Sequence, residues 1–144
     1  MRLMAAAIAL ITGGMLSAEP PTLRDLIRLH AAEIRRALTG NLVSYSPPNS
    51  FDAGAHEEFY SSGIWRGVRY SRGPIPFSGR WGVQQDRLCV RVDQEQFGSL
   101  RRGELRCRTV WRDPRRGRLF MEHVQPAFGT KLQLLTVESL AGLR

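Results

Sequence analysis

The chain has 144 residues, a formal net charge of +8 and 42% hydrophobic residues, with two cysteines and three tryptophans. This length supports one domain with a core of its own and is too short for two domains of ordinary size. No segment beyond the N-terminus approaches the roughly 20 apolar residues that a membrane-spanning helix needs.

The N-terminal residues have the layout of a secretory signal peptide. Arg2 is followed by the apolar run Leu3–Leu16, then by small residues and an acidic, proline-containing segment. The run is shorter than a membrane span; an uncleaved anchor or a buried helix is the alternative. We predict cleavage after Ala18. This gives a signal peptide at 1–18 and one mature domain at 19–144, which is periplasmic or secreted.

The positive charge is carried almost entirely by arginine, because Lys131 is the only lysine among 21 basic residues. Strong basicity often indicates nucleic-acid binding, but an exported protein meets little nucleic acid, so no nucleic-acid partner is predicted. The polyanions outside the cytoplasm are lipid phosphates, lipopolysaccharide and acidic cell-wall polymers. A codon bias towards arginine is the alternative explanation.

The first predicted element is an amphipathic helix over 22–38. Apolar residues recur there at the i, i+3, i+4, i+7 spacing of a helix with one buried face. Thr22 and Asp25 form an acidic variant of the capping box at its start, and Gly40 is the expected stop signal. We expect this helix to pack on a sheet or across a barrel mouth; the alternative is a partner-binding or membrane-surface helix.

From residue 41 onwards, short apolar runs alternate with glycine, proline, asparagine and aspartate, as in all-β domains. The predicted fold class is mainly β (α+β): the N-terminal helix, then a seven- to eight-stranded antiparallel meander forming a small barrel or curled sheet. Loops are predicted at 46–55 and over most of 94–103. The candidate strands are 41–46, 56–61, 63–71, 75–84, 87–93, 104–112, 117–124 and 131–137.

Cys89 and Cys107 are 18 positions apart, which fits none of the short CxxC spacings of zinc or thioredoxin-like sites. In an exported chain two cysteines favour a structural disulfide, worth roughly 3 kcal/mol for a loop of this size. Direct pairing would place Val90 beside Arg106 on a face that should be buried. A bulge, a diagonal disulfide or a wet face would each resolve this mismatch.

The segments ALTGNLV, EEFYSSGIWRG, FSGRWGVQQDRLCVRV and LRCRTVWRD resemble a loose group of small exported bacterial proteins of unknown function. That group has compact lipocalin-like or avidin-like β-barrels with one disulfide. The resemblance implies the fold and the disulfide, and it supplies no catalytic residue. The chain departs from the pattern at Pro47 and Pro48 and in its arginine density. The matching positions are Leu38, Gly40, Asn41, Phe59, Tyr60, Gly63, Gly79, Trp81, Leu88, Cys89, Cys107, Val110 and Trp111.

Catalytic and metal-binding motifs are sparse. His56 and Glu57 in one predicted strand, and Glu122 and His123 in another, are the candidate metal ligands or acid–base groups. Neither pair has the HExxH spacing, and neighbours in a strand point to opposite faces. The G-x-S-x-G motif of a serine nucleophile does not occur in the sequence. We therefore predict no enzymatic activity, no cofactor and no metal.

Two sets of residues are candidates for binding. Aromatic side chains on neighbouring strands predict a pocket for a small apolar ligand, or else a packed core; they are Trp65, Tyr70, Phe77 and Trp81. Arginines on 101–118 predict a positive stripe for phosphate or carboxylate groups, or else a solvated outer face; they are Arg101, Arg102, Arg106, Arg108 and Arg112.

These observations predict an exported protein that acts by binding a small ligand or an anionic envelope component. The alternative is a protein-directed inhibitor of a protease or another envelope-attacking enzyme, with the loop 46–55 as its contact. A basic inhibitor favours an acidic target. The specific ligand or partner is not encoded in any motif of the chain.

Overall fold

The computed structural model describes residues 21–46, 54–70, 72–95, 100–125 and 129–143. The predicted signal peptide, its cleavage site after Ala18 and most of the predicted loop 46–55 lie outside the described residues. Within those ranges, no helix is long and apolar enough to cross a membrane.

The regular structure of the described residues consists of one α-helix, ten strands and two short 3-10 turns. The helix is α1 (Ala31–Leu38). The strands are β1 (Ile27–Arg28), β2 (Asn41–Tyr45), β3 (Gly54–Phe59), β4 (Ile64–Tyr70), β5 (Pro74–Gln84), β6 (Arg87–Glu95), β7 (Leu105–Arg108), β8 (Val110–Arg112), β9 (Leu119–Gln125) and β10 (Gly129–Ser139). Every strand predicted from residue 41 onwards overlaps a strand of the structure.

All ten strands form one antiparallel sheet in the order β1-β8-β9-β10-β2-β3-β4-β5-β6-β7. Strands β7 and β8 lie at or near opposite ends of this order, yet only Thr109 separates them in the chain. The sheet therefore curls until the segment 105–112 pairs with β6 through its first half and with β9 through its second. The predicted curled, mainly β fold is confirmed, but the described residues form ten strands instead of the predicted seven to eight. The predicted strand 104–112 is divided because its two halves have different neighbours.

The helix is shorter than predicted. Thr22 and Asp25 make the expected contact, with the Thr22 N–H donating to the Asp25 carboxylate at 3.0 Å. They close only a 3-10 turn, because Leu26 has an extended backbone with ψ of 148°. The chain then enters β1, which pairs with β8. The apolar periodicity of 22–30 thus belongs to a turn and an edge strand.

The true start of α1 is fixed from outside the helix. Asp86, in the turn between β5 and β6, accepts a hydrogen bond from the Ala31 N–H at 2.8 Å. The His30 ring lies 3.0 Å from the same carboxylate, and the His30 N–H donates to Glu33. A carboxylate at this position satisfies free N–H groups and complements the helix dipole.

One face of the curled sheet carries the hydrophobic core. Ile34 and Leu38 of α1 pack there with strand side chains such as Val43, Phe59 and Val90, all at most 2% exposed. We call this face the inner face and the opposite one the outer face. Because side chains alternate along a strand, the register of each strand determines which residues share a face.

A β-bulge shifts the register between β5 and β6. Ser78 pairs with Gln94 and Gly79 with Val92, which leaves Asp93 unpaired. Glycine is required at 79, because a Cβ atom there would lie 2.0 Å from the Arg91 carbonyl oxygen. The bulge changes the alternation of β6 after Val92, so that Gln94 lies opposite Ser78 and Glu95 lies opposite the core residue Phe77.

Candidate functional site

The predicted disulfide is confirmed. Cys89 on β6 and Cys107 on β7 lie directly opposite each other with their Cα atoms 4.0 Å apart, and their sulfur atoms are bonded. Direct pairing therefore replaces the diagonal alternative. Because Leu88 and Val90 are buried in the core, alternation along β6 places Cys89 on the outer face.

The direct register turns Arg108 inwards, opposite Leu88. Its guanidinium donates to both carboxylate oxygens of Glu57, at 2.9 and 2.7 Å. The Tyr45 hydroxyl and the Trp65 indole N–H donate to the same carboxylate at 2.5 and 2.9 Å. The Arg108 and Glu57 side chains are only 15% and 3% exposed. We call Tyr45, Glu57, Trp65 and Arg108 the inner cluster.

The inner cluster holds fixed protonation states. Burial opposes ionisation of Glu57, but Arg108 and the hydrogen bonds from Tyr45 and Trp65 outweigh it and keep the pKa of Glu57 below its usual value. Burial, reinforced by the charge of Glu57, raises the pKa of Tyr45, so its hydroxyl stays protonated. Burial disfavours the Arg108 cation, but Glu57 outweighs burial and raises the pKa of Arg108. Groups that stay in one state near neutral pH suit a structural role rather than proton transfer.

The candidate acid–base residues do not gather around one point. His56 and Glu57 occupy opposite faces of β3: His56 is exposed and packs edge-on against the Tyr70 ring at 5.5 Å, while Glu57 is buried. Tyr70 is therefore separated from the other three aromatic candidates. Glu122 is half-buried on β9, and the side chain of His123 lies outside the described residues.

The three other aromatic candidates pack in or against the core. Trp65 and Phe77 stack with ring centroids 4.5 Å apart, and they are 3% and 6% exposed. Trp81 meets Phe59 edge-to-face at 5.4 Å. Aromatic rings that pack against each other in this way stabilise the core. This arrangement favours the packed-core alternative over an aromatic pocket.

The predicted arginine stripe is divided among several partners, and Arg106 lies opposite Val90 on the same side of β7 as Arg108. Arg108 faces inwards and is bound to Glu57. Arg106 is 2.9 Å from Glu104, and Arg112 on β8 is 3.2 Å from Glu33 on α1. The remaining two candidates, Arg101 and Arg102, are exposed in the turn before β7.

A different group of arginines surrounds the disulfide on the outer face. Arg80 on β5 and Arg91 on β6 lie directly opposite each other, and Arg87 lies on the other side of Cys89. All three are exposed, and none forms an ion pair with an acidic residue of the described chain. Like charges directly opposite in a sheet repel each other. A bound anion would relieve this repulsion.

Two exposed apolar side chains extend the row. Ile64 pairs with Arg80, and Leu105 pairs with Arg91, so the row across four strands reads Ile64, Arg80, Arg91, Leu105. Ile64 and Leu105 are 42% and 44% exposed. We call these four residues, together with Arg87, the arginine face. Cationic side chains between apolar ones match the interface of an anionic lipid layer, where phosphates adjoin acyl chains.

Hydrogen bonds to backbone carbonyls of the edge strand β7 and of the turn before it orient two of these arginines. Arg87 donates to the Cys107 carbonyl at 2.7 Å, and Arg91 donates to the Gly103 carbonyl at 3.2 Å. A guanidinium has five N–H donors, so most of them stay available. Alternation along 87–93 places Arg91 on the same face as Cys89. The opposition of Arg80 and Arg91 depends on the register of the β5–β6 hairpin, which alternation alone does not determine.

The sheet that carries the arginine face and the inner cluster has two features that the resemblance to small exported bacterial β-barrel proteins implies. The sheet is curled and antiparallel, and Cys89 is bonded to Cys107. Comparison with protein-family models, with curated proteins and with solved structures finds no match to this chain.

Proposed function

We propose that this chain is an exported, non-enzymatic binding protein with a lipocalin-like scaffold, and that it docks on an anionic membrane surface of the cell envelope through the arginine face. The observation that carries the proposal is the row in which Arg80 and Arg91 oppose each other between Ile64 and Leu105. The disulfide next to this row cross-links the two strands that carry Arg91 and Leu105.

The charges of the face favour an anionic partner. Two guanidinium groups at neighbouring positions, without an acidic partner in the described chain, form a site that bidentate phosphate contacts would stabilise. The formal net charge, which falls from +8 to +7 when the predicted signal peptide is removed with Arg2, also attracts the protein to negative surfaces before contact. Electrostatics alone would allow any polyanion.

The apolar residues at the two ends of the row favour a lipid layer over a soluble polyanion. Ile64 and Leu105 are large and more than 40% exposed, although neither lies in a turn where exposure is unavoidable. A soluble polyanion offers no apolar surface to them. A lipid layer offers phosphate to the arginines and hydrocarbon to these two side chains.

The other ligand predicted from the sequence, a small apolar molecule among the aromatic side chains, has less support. Trp65 and Phe77 already stack on each other in the core. No observation on the described residues favours the inhibitor alternative, since most of the loop 46–55 lies outside them. The membrane surface is therefore the partner to test first.

The test is vesicle binding by the purified protein and two matched double variants. Vesicles of phosphatidylcholine with phosphatidylglycerol are compared with vesicles of phosphatidylcholine alone. A basic residue close to an anionic surface contributes about 1 kcal/mol, so Arg80→Gln with Arg91→Gln should weaken partitioning by about 30-fold. The control, Arg115→Gln with Arg116→Gln, removes the same charge from the exposed turn before β9.

The control double variant should bind within about threefold of the wild type, and binding should weaken as the salt concentration rises. Equal losses in the two double variants would show that net charge alone drives binding and would overturn the role of the arginine face. Equal binding to neutral and anionic vesicles would overturn the anionic partner.

A further inference from the structure

A surface groove of about 730 Å³ lies on β3 to β6. Its lining includes Glu58, Arg66, Ser78 and Gln94, which stand directly opposite one another on four successive strands. This polar row adjoins the row of the arginine face on the three strands that the two rows share, β4 to β6. The volume is within the usual range for small-molecule sites.

The groove differs from the arginine face in its charge. Glu58 is paired with Arg66 at 2.7 Å, and Glu95, which also lines the groove, is paired with Arg69 at 2.7 Å. Each carboxylate is thus matched by one guanidinium. A site with balanced charges does not select an anion or a cation.

The paired charges also hold the groove side chains in place. Tyr60 donates its hydroxyl proton to Glu58, and Arg66 donates to the Tyr60 oxygen. The Arg66 guanidinium lies 4.8 Å from the centre of the Tyr60 ring. Side chains that are already fixed lose little conformational entropy when a ligand binds.

The other two residues of the polar row, Ser78 and Gln94, have side chains that can still form hydrogen bonds. Neither Ser78 nor Gln94 makes a side-chain hydrogen bond to another described residue, and Gln94 is exposed. A hydroxyl and an amide can each donate and accept. In the adjoining row Val68 pairs with Pro76, and both line the groove with apolar surface.

We infer that this groove binds a neutral saccharide. A sugar ring carries hydroxyl groups, each both donor and acceptor, around apolar C–H faces, which matches a polar row beside an apolar one. The inference does not rest on the membrane-docking proposal, because the groove residues are not those of the arginine face.

Calorimetric titration of the purified protein with neutral chitooligosaccharides and maltooligosaccharides tests the inference. At least one probe series should bind, and Gln94→Ala or Ser78→Ala should each weaken that binding by about 2- to 12-fold, as expected for one lost hydrogen bond. The matched control is Gln84→Ala, an exposed glutamine at the far end of β5. It should leave the affinity unchanged.

Arg80→Gln with Arg91→Gln should also leave the affinity for these neutral probes unchanged, which separates this site from the membrane proposal. The inference is overturned if no neutral probe binds at millimolar concentration, or if Gln94→Ala and Gln84→Ala behave alike. Heparin, an anionic saccharide, is titrated for comparison. The inference is equally overturned if heparin binds while the neutral probes do not, and if heparin binding is lost only when Arg80 and Arg91 are replaced.

Discussion

The inner cluster and the arginine face lie on opposite sides of the same curled sheet. Arginine is buried and paired in the inner cluster, whereas it is exposed in the arginine face. Inside, Arg108 is removed from water and held by both oxygens of Glu57. Outside, Arg80 and Arg91 stand opposite each other in water with no acidic partner among the described residues. A buried charge must be paired for the protein to fold, whereas an exposed unpaired charge is available to a ligand. The burial and the pairing of an arginine therefore indicate its role better than the arginine content does.

The comparison predicts its largest effect for Arg108→Met. This substitution leaves the Glu57 carboxylate buried without its cation, and breaking such a pair typically costs about 3 to 5 kcal/mol. Urea denaturation followed by circular dichroism should show this loss in the free energy of unfolding.

Arg106→Met on the same strand is the control for Arg108→Met. Arg106 is 48% exposed and paired with Glu104, so its loss should cost about 0 to 1 kcal/mol. Replacing both members of the inner pair, Glu57→Leu with Arg108→Met, should recover much of the loss. Similar costs for the two single arginine variants would refute the structural role of the inner pair.

The next largest effect concerns the disulfide that joins β6 to β7. Replacing Cys89 and Cys107 together by alanine should lower the free energy of unfolding by about 3 kcal/mol, as the loop-entropy estimate gives for this sequence separation. The variant should still fold, because the core side chains of β6 are unchanged. A wild-type unfolding curve for this variant would mean that the disulfide does not stabilise the scaffold.

Acid should weaken the inner cluster. The pKa of folded Glu57 lies below its ordinary value of 4.5, so the ionised pair contributes its full stability above that pH. This contribution is lost as the pH falls through the folded-state pKa. Glu57→Gln should be less stable than the wild type at neutral pH, and the difference should shrink as the pH is lowered below 4.5. A constant difference at all pH values would contradict this assignment.

The smallest predicted effect has the opposite sign. Arg91→Gln removes one of two like charges that oppose each other across β5 and β6, so it should stabilise the protein by roughly 0.2 to 1 kcal/mol. Thermal unfolding at low salt is the measurement, because salt screens the repulsion. A destabilised Arg91→Gln would show that this arginine, like Arg108, contributes to the fold.

The elements that were predicted correctly are those marked by residues close together in the sequence. Turn residues and alternating side chains mark each strand within a few positions, and the predicted strands from residue 41 are confirmed. The predicted helix start at Thr22 is wrong because its capping contact closes a single 3-10 turn, whereas Asp86, 55 positions from Ala31, fixes the true start. A side chain so distant in the chain leaves no local pattern.

The candidate site was harder to predict, because it depends on pairing between strands. Alternation alone left the register of Cys89 and Cys107 open, so Arg108 appeared as a surface residue. The direct pairing in the structure turns Arg108 to the inner face. The opposition of Arg80 and Arg91 follows in the same way from the β5–β6 register.

The most direct test of the two roles of arginine is the partition coefficient on phosphatidylglycerol-containing vesicles, measured for two variants under conditions in which both are folded. Arg108→Met should bind like the wild type per folded molecule, whereas Arg80→Gln with Arg91→Gln should bind about 30-fold more weakly. Undiminished binding by the double variant, or an equal loss in Arg108→Met, would contradict the account.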